Sequence, residues 1–222
     1  MTDHIKILVV DDHMVVREGL RALLTPRNGM EVIGEAVDGG EAVEMARTLS
    51  PDVILMDLNL PEKSGLEATA EIMRQNPHAR ILVLTSYEEE EHISAAVRAG
   101  ALGYVLKNSS APELFHAIRG VAMGSLSVSS NVTQILLKNF HQPAPAPPPS
   151  APTFDLTERE LDVLRGLAQG QSNQEIAESL NVEKTTVRSH ISRILSKLGV
   201  DNRTQAALYA IEMGLSQPKE KR

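Results

Sequence analysis

The sequence predicts an α/β unit followed by a separate all-α unit, and three observations lead to this fold class. In the first half, short segments rich in Val, Ile and Leu alternate with amphipathic helical patterns, as in a parallel sheet covered by helices on both faces. Half of the residues in 142–153 are proline, and such a run separates domains because it lacks backbone donors and prefers an extended conformation. The residues beyond it carry only helical patterns. Two modest domains are therefore expected in the 222 residues.

The α/β unit is predicted to be a doubly wound (βα)5 fold, because each of its five apolar strands is followed by a helix. In such a fold, ligands bind at the carboxyl ends of the strands. The strands are predicted at Ile5–Val10, Glu31–Ala36, Val53–Met56, Ile81–Leu84 and Gly103–Leu106. The helices are predicted near Val15–Leu24, Gly40–Leu49, Leu66–Asn76, Glu90–Ala99 and Ala111–Met123, with a further helix near Asn131–Asn139.

The C-terminal unit is predicted to contain four helices. The first begins at a capping box formed by Thr157 and Glu160. The second, which Ser172 or Asn173 caps, is short and is separated from the third by a tight turn, as in a helix-turn-helix. The four helices are predicted at 158–168, 174–179, 184–198 and 203–212.

These patterns give the expected domain boundaries, with an α/β domain at 1–127, a linker helix and proline-rich linker at 128–153, a helical domain at 154–216 and a disordered tail at 217–222. No apolar run approaches the ~20 residues of a membrane span, and the N-terminus lacks the apolar stretch of a secretory signal. The chain has no cysteine, which excludes disulfides, thiol catalysis and cysteine–metal sites. A cytoplasmic protein without a membrane partner is expected.

The net charge of −7 conceals an uneven distribution. Residues 1–139 carry 19 acids and 12 bases, and residues 140–222 carry 10 of each. Within the second part, 153–183 holds 7 acids and 2 bases, whereas 184–203 holds 5 bases and 1 acid. A local basic surface on an acidic protein indicates contact with a polyanion.

Polar side chains follow four of the five predicted strands, at the edge where such folds bind ligands. They supply three carboxylates, a hydroxyl and an ammonium group: Asp11, Asp12, Asp57, Thr85 and Lys107. Carboxylates so close repel one another, and a hard divalent cation such as Mg²⁺ relieves that repulsion. Single polar residues often end strands merely because strands end at the surface, but five such groups in register favour a site. His13 could also bind a metal, although a single histidine there is more typical of a surface or hinge residue.

Four segments of the first unit resemble a response-regulator receiver domain, which has a flavodoxin-like fold: KILVVDDH, DVILMDLNLPEKSGLEA, ILVLTSY and AGALGYVLK. The resemblance spans Lys6–Gly124 and implies that Asp57 is the phosphoacceptor, which attacks a phosphohistidine on a sensor histidine kinase. It implies that Lys107 holds a phosphoryl oxygen, that Thr85 moves toward the phosphate, and that Tyr104 follows it inward. It also implies an Mg²⁺ site formed by Asp11 through water and, directly, by Asp12, Asp57 and the backbone carbonyl of Asn59.

The third helix of the second unit has a face suited to DNA. Small hydroxyl side chains lie between Arg188 and Arg193, and no acid lies between Lys184 and Lys197. An ordinary solvated helix more often mixes Glu with Lys, whereas a helix in the major groove needs small polar residues and arginines. The opposite, apolar stripe has spacings of 4, 3 and 4 and consists of Val187, Ile191, Ile194 and Leu198.

The range Leu156–Leu215 resembles a LuxR-type, four-helix DNA-binding domain, over the run LTERELDVLRGLAQGQSNQEIAESLNVEKTTVRSHISRILSKLGVDNRTQAALYA. Together with the receiver, this resemblance implies a NarL/FixJ-type two-component response regulator. It directs four side chains to the DNA groove, namely Lys184, Arg188, Ser189 and Ser192. It implies that four other side chains contact DNA phosphates, namely Thr185, Thr186, Lys197 and Arg203. The fourth helix resembles the family's dimerisation surface.

The resemblance implies a transcription factor in which phosphorylation favours a homodimer that binds double-stranded DNA, with RNA polymerase as a further partner. Five basic side chains per protomer would give a dimer about 6–8 phosphate contacts, and the logarithm of affinity would change by roughly −0.9 per contact with log salt. No enzymatic activity is expected beyond phosphorylation and dephosphorylation of its own receiver.

Three alternatives stay open. The first is an Mg²⁺-dependent aspartyl phosphatase, but such enzymes usually place a second acid two residues after the nucleophile, where this chain has Asn59. The second is a phosphorylation-independent regulator, which the intact set of acidic, hydroxyl and lysine residues disfavours. The third is an output domain that binds only proteins, which salt-dependent DNA binding would exclude.

Overall fold

The computed structural model of the chain describes residues 4–86, 90–126 and 156–215. It divides into two compact units, residues 1–128 and 129–222, each of which is described by itself. The helix predicted near Asn131–Asn139, the proline-rich segment and the C-terminal tail lie outside the described residues, so the predicted domain boundaries stay predictions. Within the described ranges, no helix combines the length and the apolar character that crossing a bilayer requires.

The first unit contains a five-stranded parallel sheet with the order β2-β1-β3-β4-β5. The chain moves from β1 to β2 on one side and then to β3 on the other side of β1, so the strand order reverses between β1 and β3. Ligands bind at such a switch point in doubly wound folds. The strands are β1 Ile5–Val10, β2 Met30–Ala36, β3 Val53–Met56, β4 Ile81–Thr85 and β5 Gly103–Leu106.

Helices cover both faces of this sheet because alternate strand residues point to opposite sides. Ile7 and Val9 of β1 pack with α1 and α5, whereas Leu8 and Val10 pack with α2 and α3. The predicted doubly wound fold is therefore confirmed. The helices are α1 Met14–Leu23, α2 Gly39–Leu49, α3 Gly65–Gln75, α4 Glu90–Ala99 and α5 Ala111–Met123, and a short 3₁₀ helix spans Pro26–Asn28.

Three helices of the first unit, α1, α2 and α3, begin one residue earlier than predicted. Caps explain the difference for α2 and α3. Asp38 accepts hydrogen bonds from the amides of Gly40 and Glu41, which places the start of α2 at Gly39. Ser64 forms a capping box with Glu67, which places the start of α3 at Gly65. Glycine at the first helical position obscured both starts, because apolar periodicity gives no signal there.

In the described part of the second unit, residues 156–215, four helices surround a set of buried apolar side chains. They are α6 Glu158–Ala168, α7 Asn173–Leu180, α8 Lys184–Leu198 and α9 Arg203–Glu212. Three of these match the predicted bounds, and α7 is one residue longer at each end because Ser172, rather than Asn173, caps it. The apolar stripe predicted on α8 is buried, and it packs in a core with side chains from α6, α7 and α9, including Leu164, Leu167, Ile176 and Ala207.

An ion pair with a buried carboxylate joins the first and third helices of this unit. Glu160 is only 3% exposed, and its Oε2 lies 2.7 Å from Nζ of Lys197 on α8. The same oxygen accepts hydrogen bonds from the amide and the hydroxyl of Thr157, at 2.9 and 3.0 Å. The hydrogen bond from Lys197, followed by that from the Thr157 amide, lowers the pKa of Glu160 from 4.5 to about 2. The Glu160 carboxylate therefore belongs to the capping box of α6 and also holds α8 through Lys197.

Glu160→Gln is expected to lower the free energy of unfolding of the second unit by about 2 kcal/mol near pH 7, which is less than the full pKa difference would give because the Lys197 ammonium is 36% exposed and water screens the pair. A carboxylate with a lowered pKa contributes its full stability above its ordinary pKa and loses it as the pH falls toward its folded pKa. The gap between wild type and variant should therefore close between about pH 4.5 and pH 2.

Urea unfolding of the full chain, followed by hydrogen exchange of peptides from 156–215, measures this gap. Glu158→Gln is the control, because Glu158 is an exposed carboxylate in the same helical turn. A gap that does not change with pH would contradict the assigned role of the ion pair.

Candidate functional site

The fold places two buried carboxylates side by side at the switch point. Val10 and Met56 are register partners on β1 and β3, and Asp11 and Asp57 follow them directly. The amide of Asp57 donates to the carbonyl oxygen of Val10 at 2.9 Å, so the ladder continues into the site. Asp11 and Asp57 are only 1% and 3% exposed. Sheet register alone therefore forces two like charges into one small volume.

The side chain of Lys107, which follows β5, lies between these carboxylates. Its Nζ is 2.6 Å from Oδ2 of Asp11 and 2.8 Å from Oδ2 of Asp57. Its backbone amide donates to the carbonyl oxygen of Thr85 at 2.7 Å, so the lysine is also fixed to the end of β4. The ammonium group offsets the repulsion between the two buried charges.

Burial and the ion pairs both shift the pKa values of this cluster. Burial raises the pKa of Asp57 above its ordinary value, and the opposing effect of Lys107 only partly offsets it. Burial lowers the pKa of Lys107, but the hydrogen bonds to Asp11 and Asp57 outweigh it, so the pKa of the ammonium is raised. Lys107 is therefore charged at neutral pH, and the cluster lacks positive charge rather than negative charge.

Asp12 and His13 complete the acidic site at its solvent side. Nδ1 of His13 lies 2.6 Å from Oδ1 of Asp12 and 3.4 Å from Oδ1 of Asp11. One ligand atom from each of Asp11, Asp12, His13 and Asp57 lies within 4.8 Å of the others. His13 was interpreted from sequence as a surface or hinge residue. It is 67% exposed, but it also contacts both aspartates.

A hard divalent cation fits this donor set. Three carboxylates converge, and the buried Oδ2 of Asp11 has the Lys107 ammonium beside it at 2.6 Å. Clustered carboxylate oxygens are the ligands that Mg²⁺ prefers. The amide of Asn59 donates to Oδ1 of Asp57 at 3.4 Å, which places the Asn59 backbone beside the cluster.

Thr85 and Tyr104 lie beside the site on one face of the sheet. Thr85 ends β4 and is 1% exposed. Tyr104 pairs in register with Val83, two residues before Thr85, so both side chains point to the same side. The Tyr104 side chain is buried in this conformation, at 7% exposure. Lys107 directly follows β5, and its amide is bonded to Thr85 at the end of β4, so Lys107, Thr85 and Tyr104 are neighbours in the two strands.

The loop after Asp57 lies directly against this carboxylate's backbone. A Cβ atom at Gly65 would come within 1.9 Å of the carbonyl oxygen of Asp57, so glycine is required there. Glu62 holds a left-handed conformation with φ of 59°, which is unfavourable for a residue with a side chain. This conformation turns the loop back toward Gly65, whose amide donates a hydrogen bond to the carbonyl oxygen of Leu58.

Arg17 is a site residue that the sequence analysis missed. Its Nη1 donates to the carbonyl oxygens of Asp11 and Asp12, at 2.8 and 3.1 Å. In sequence, Arg17 falls within an amphipathic helix and looks like an ordinary solvated cation. Its place one turn after an acidic pair was the available signal, because a long side chain there can reach back to the preceding loop.

The second unit presents the predicted DNA-facing surface on α8. Thr185, Thr186, Ser189, Ser192 and Arg193 are exposed, and Lys184 and Arg188 are half-buried. The hydroxyls of Ser189 and Ser192 donate to carbonyl oxygens one turn earlier in α8, each at 3.2 Å. The helix therefore offers a smooth, hydroxyl-lined face with cations along it.

Two of the predicted phosphate-binding cations have partners inside the unit. Nζ of Lys197 pairs with the buried Glu160. Nη1 and Nη2 of Arg203 donate to the Asn173 side chain and the Gln171 carbonyl oxygen, both at 2.8 Å. These contacts attach α8 to α6 and α9 to the start of α7. The predicted phosphate contacts of both residues stay predictions.

A doubly wound sheet with converging carboxylates and a lysine, followed along the chain by a helix-turn-helix unit, defines a response regulator with a DNA-binding output domain. Residues 7–119 match the response regulator receiver domain family, and residues 155–210 match the bacterial regulatory proteins of the luxR family. The chain belongs to the two-component response regulators that join these two domains. The predicted family and fold class are confirmed, and the relatives are transcriptional regulators rather than enzymes.

Similar proteins cover nearly the whole chain. The transcriptional regulatory protein LiaR of Bacillus subtilis is 45% identical over 206 residues, which are 93% of this chain and 96% of LiaR. The response regulator VraR of Staphylococcus aureus is 40% identical over 214 residues, which are 96% of this chain and 99% of VraR. A solved structure of two RcsB dimers bound to two parallel DNAs is 27% identical, with a TM-score of 0.55, and the match covers 94% of this chain and 98% of RcsB.

Lys107→Met is expected to lower the free energy of unfolding of the first unit by about 3 kcal/mol in buffer without divalent cations, because it leaves two buried carboxylates without a cation. Added Mg²⁺ should restore part of this loss. Hydrogen exchange of peptides from 4–126 in the full chain, with and without Mg²⁺, measures both effects.

Lys63→Met is the matched control, because its ammonium pairs at 2.6 Å with Glu71 at the surface. Such a pair contributes about 1 kcal/mol or less. Equal losses in the two variants would contradict the central place of Lys107.

Proposed function

We propose that this chain is a phosphorylation-controlled transcriptional regulator in which Asp57 accepts a phosphoryl group from a sensor histidine kinase. The observation that carries the proposal is the half-buried Lys107 ammonium between the buried carboxylates of Asp11 and Asp57. A phosphoryl group at Asp57 would find a cation already beside its oxygens. Phosphoryl transfer depends mainly on such positioning and charge compensation.

The transfer is a direct displacement at phosphorus. An oxygen of the Asp57 carboxylate forms the new O–P bond while the N–P bond of the kinase phosphohistidine breaks, and its electron pair remains on the imidazole nitrogen. Lys107 then pairs with a phosphoryl oxygen. Gly65 keeps the backbone beside Asp57 open, since a side chain there would collide with it.

The carboxylates of Asp12 and Asp57 and the carbonyl oxygen of Asn59 would hold Mg²⁺ directly, and Asp11 would hold it through water. When bound, Mg²⁺ supplies positive charge that neutralises the carboxylates and the transferring phosphoryl oxygens. The acidic cluster supports this part of the proposal through its donor atoms, all within 4.8 Å.

Phosphorylation acts as a switch because it changes the partners of Lys107. The added negative charge draws the ammonium and the Thr85 hydroxyl toward the phosphate, and Tyr104 occupies the space behind Thr85. The direct link between the Lys107 amide and the Thr85 carbonyl oxygen supports this coupling. A local change in charge thereby repacks β4, β5 and the neighbouring surface, which favours a homodimer.

The output is sequence-specific binding to double-stranded DNA through α8, with RNA polymerase as a further partner of the bound regulator. Lys184, Arg188, Ser189 and Ser192 face the groove, and Thr185 and Thr186 face phosphates. The RcsB structure contains dimers bound to DNA, which supports a dimeric DNA complex for this chain. Because its kinase and DNA target are cytoplasmic in this scheme, the cytoplasmic location belongs to the same proposal.

The phospho-switch is tested with beryllofluoride and Mg²⁺, which together replace a phosphoryl group at a carboxylate. The full chain is expected to become dimeric by light scattering and to bind a random-site DNA pool more tightly than with Mg²⁺ alone. Asp57→Ala should abolish both effects. Asp52→Asn is the control, since Asp52 lies just before β3 and accepts a hydrogen bond from the Lys6 amide, which asparagine can also accept. Equal DNA binding by wild type and Asp57→Ala, with no effect of beryllofluoride, would support phosphorylation-independent regulation.

The DNA surface is tested by the salt dependence of binding. Lys184→Ala should weaken binding and, because it removes one cation from the DNA-facing surface, reduce the slope of log affinity against log salt by about 1 per protomer. Arg203→Ala should leave the slope unchanged and lower the free energy of unfolding of the second unit, because the structure uses Arg203 to hold α7. Fluorescence anisotropy of labelled DNA over a salt series measures the slopes. A reduced slope in Arg203→Ala would instead assign this side chain to a phosphate.

A further inference from the structure

Arg17 joins three parts of the first unit. Its side chain is 15% exposed. Besides the carbonyl oxygens of Asp11 and Asp12, its guanidinium contacts Glu35 on β2, with Nε 3.3 Å from Oε2. One side chain thus connects α1, the loop after β1 and the neighbouring strand.

These contacts restrain the loop that carries two of the three carboxylates. The amide of Asp11 donates to the carbonyl oxygen of Ala36 on β2 at 3.2 Å, and the amide of His13 donates to Oδ1 of Asp11 at 2.9 Å. His13 precedes α1 without a side-chain cap hydrogen bond. Arg17 therefore restrains the loop from inside the helix, by donating to the loop's carbonyl oxygens and not by capping the first amides of α1.

Arg17 and Lys107 bring positive charge to the site in different ways. Lys107 contacts the carboxylate oxygens of Asp11 and Asp57, so its contacts must change when another cation or a phosphoryl group binds. Arg17 binds main-chain oxygens of the same segment, so its contacts can persist when the carboxylates take a new ligand. Guanidinium is permanently charged and presents five N–H donors in a rigid planar fork, whereas the lysine ammonium has three donors on a single nitrogen.

We propose that Arg17 is a positioning residue of the acidic site, which together with Glu35 holds the Asp11–Asp12 backbone in the conformation that binds a divalent cation. This inference rests on the proposed function, in which that cation supports phosphoryl transfer to Asp57. Residues that orient metal ligands typically change metal affinity by roughly 10- to 100-fold when they are replaced. Arg17 acts through the ligand backbone and does not itself touch the reacting atoms.

Arg21 offers a matched control on the same helix. Its Nη1 lies 3.4 Å from Oε1 of Glu35, and its side chain is 74% exposed. Arg17 and Arg21 therefore share an anionic partner, but it is Arg17 that also contacts the carbonyl oxygens of the acidic pair. A change in metal affinity confined to Arg17 variants would separate positioning of the ligands from loss of a positive charge beside Glu35.

The test uses Mn²⁺ as the probe, with free Mn²⁺ measured by electron paramagnetic resonance in the presence of the full chain. Arg17→Gln is expected to raise the Mn²⁺ Kd by about 10-fold or more with the number of sites unchanged. Arg21→Gln should stay within about 2-fold of wild type, and Arg17→Lys should fall between the two because it keeps charge without the fork. A wild-type Kd in Arg17→Gln, or an equal loss in Arg21→Gln, would overturn the proposal.

Two further readouts distinguish positioning from general support of the fold. A residue that only stabilised the fold would lower the unfolding midpoint and the number of Mn²⁺ sites per chain, without changing the Kd of the folded fraction. With acetyl phosphate as donor, Arg17→Gln should raise the Mg²⁺ concentration for half-maximal phosphorylation by about 10-fold and leave the rate at saturating Mg²⁺ within about 3-fold. Should Arg17→Gln fail to fold, Arg17→Lys decides: a raised Kd supports the proposal and a wild-type Kd overturns it.

The same experiment separates this inference from the proposed function. If wild type binds no Mn²⁺, or acetyl phosphate does not phosphorylate Asp57, the proposed function fails and this inference fails with it. If wild type binds Mn²⁺ and is phosphorylated, and Arg17→Gln behaves identically, only the positioning role is wrong.

Discussion

The repulsion between two buried carboxylates at the β1–β3 switch point is the constraint on which the first unit depends. Parallel register places Asp11 and Asp57 next to each other, and burial removes the water that would screen them. Charge of the opposite sign must therefore be provided locally. Lys107 provides it in this conformation. Because the carboxylates outnumber the ammonium group, the site can still accept further positive charge. A cluster poised in this way responds strongly to any ligand that changes its charge.

The response can spread because each charge is attached to backbone structure. The ammonium of Lys107 contacts Asp11 and Asp57, and its backbone amide donates to the carbonyl oxygen of Thr85 at the end of β4. A new partner for the side chain would therefore also affect the connection between β4 and β5. Arg17 has the opposite role in the proposal. It holds the backbone of the loop after β1 while the carboxylates of that loop exchange their ligands. In the proposed switch, Lys107 changes its partners and Arg17 keeps its own, which would confine the conformational change to one side of the sheet.

The sequence predicted the strand ends well because period-two burial and Val/Ile/Leu runs are local signals, and the carboxyl edge of a parallel sheet then follows from topology. The sequence alone therefore predicts that Asp11, Asp57, Thr85 and Lys107 lie together at that edge. Arg17 and the position of His13 could not be found in this way, because their partners belong to other elements or depend on one rotamer. Periodicity gives the face of a helix on which a long side chain lies, but not the oxygen that it reaches.

For the same reason, a count of basic residues does not show which of them already have partners within the second unit. Five bases between 184 and 203 suggested about 6–8 phosphate contacts in a dimer. However, the structure commits Lys197 to Glu160 and Arg203 to the start of α7. If these two side chains keep their partners when DNA binds, three cations per protomer remain on α8, a dimer makes about six such contacts, and the side-chain part of its log–log salt slope is near −5. The basic segment serves two purposes, because part of its charge holds the helices together and the remainder faces the solvent.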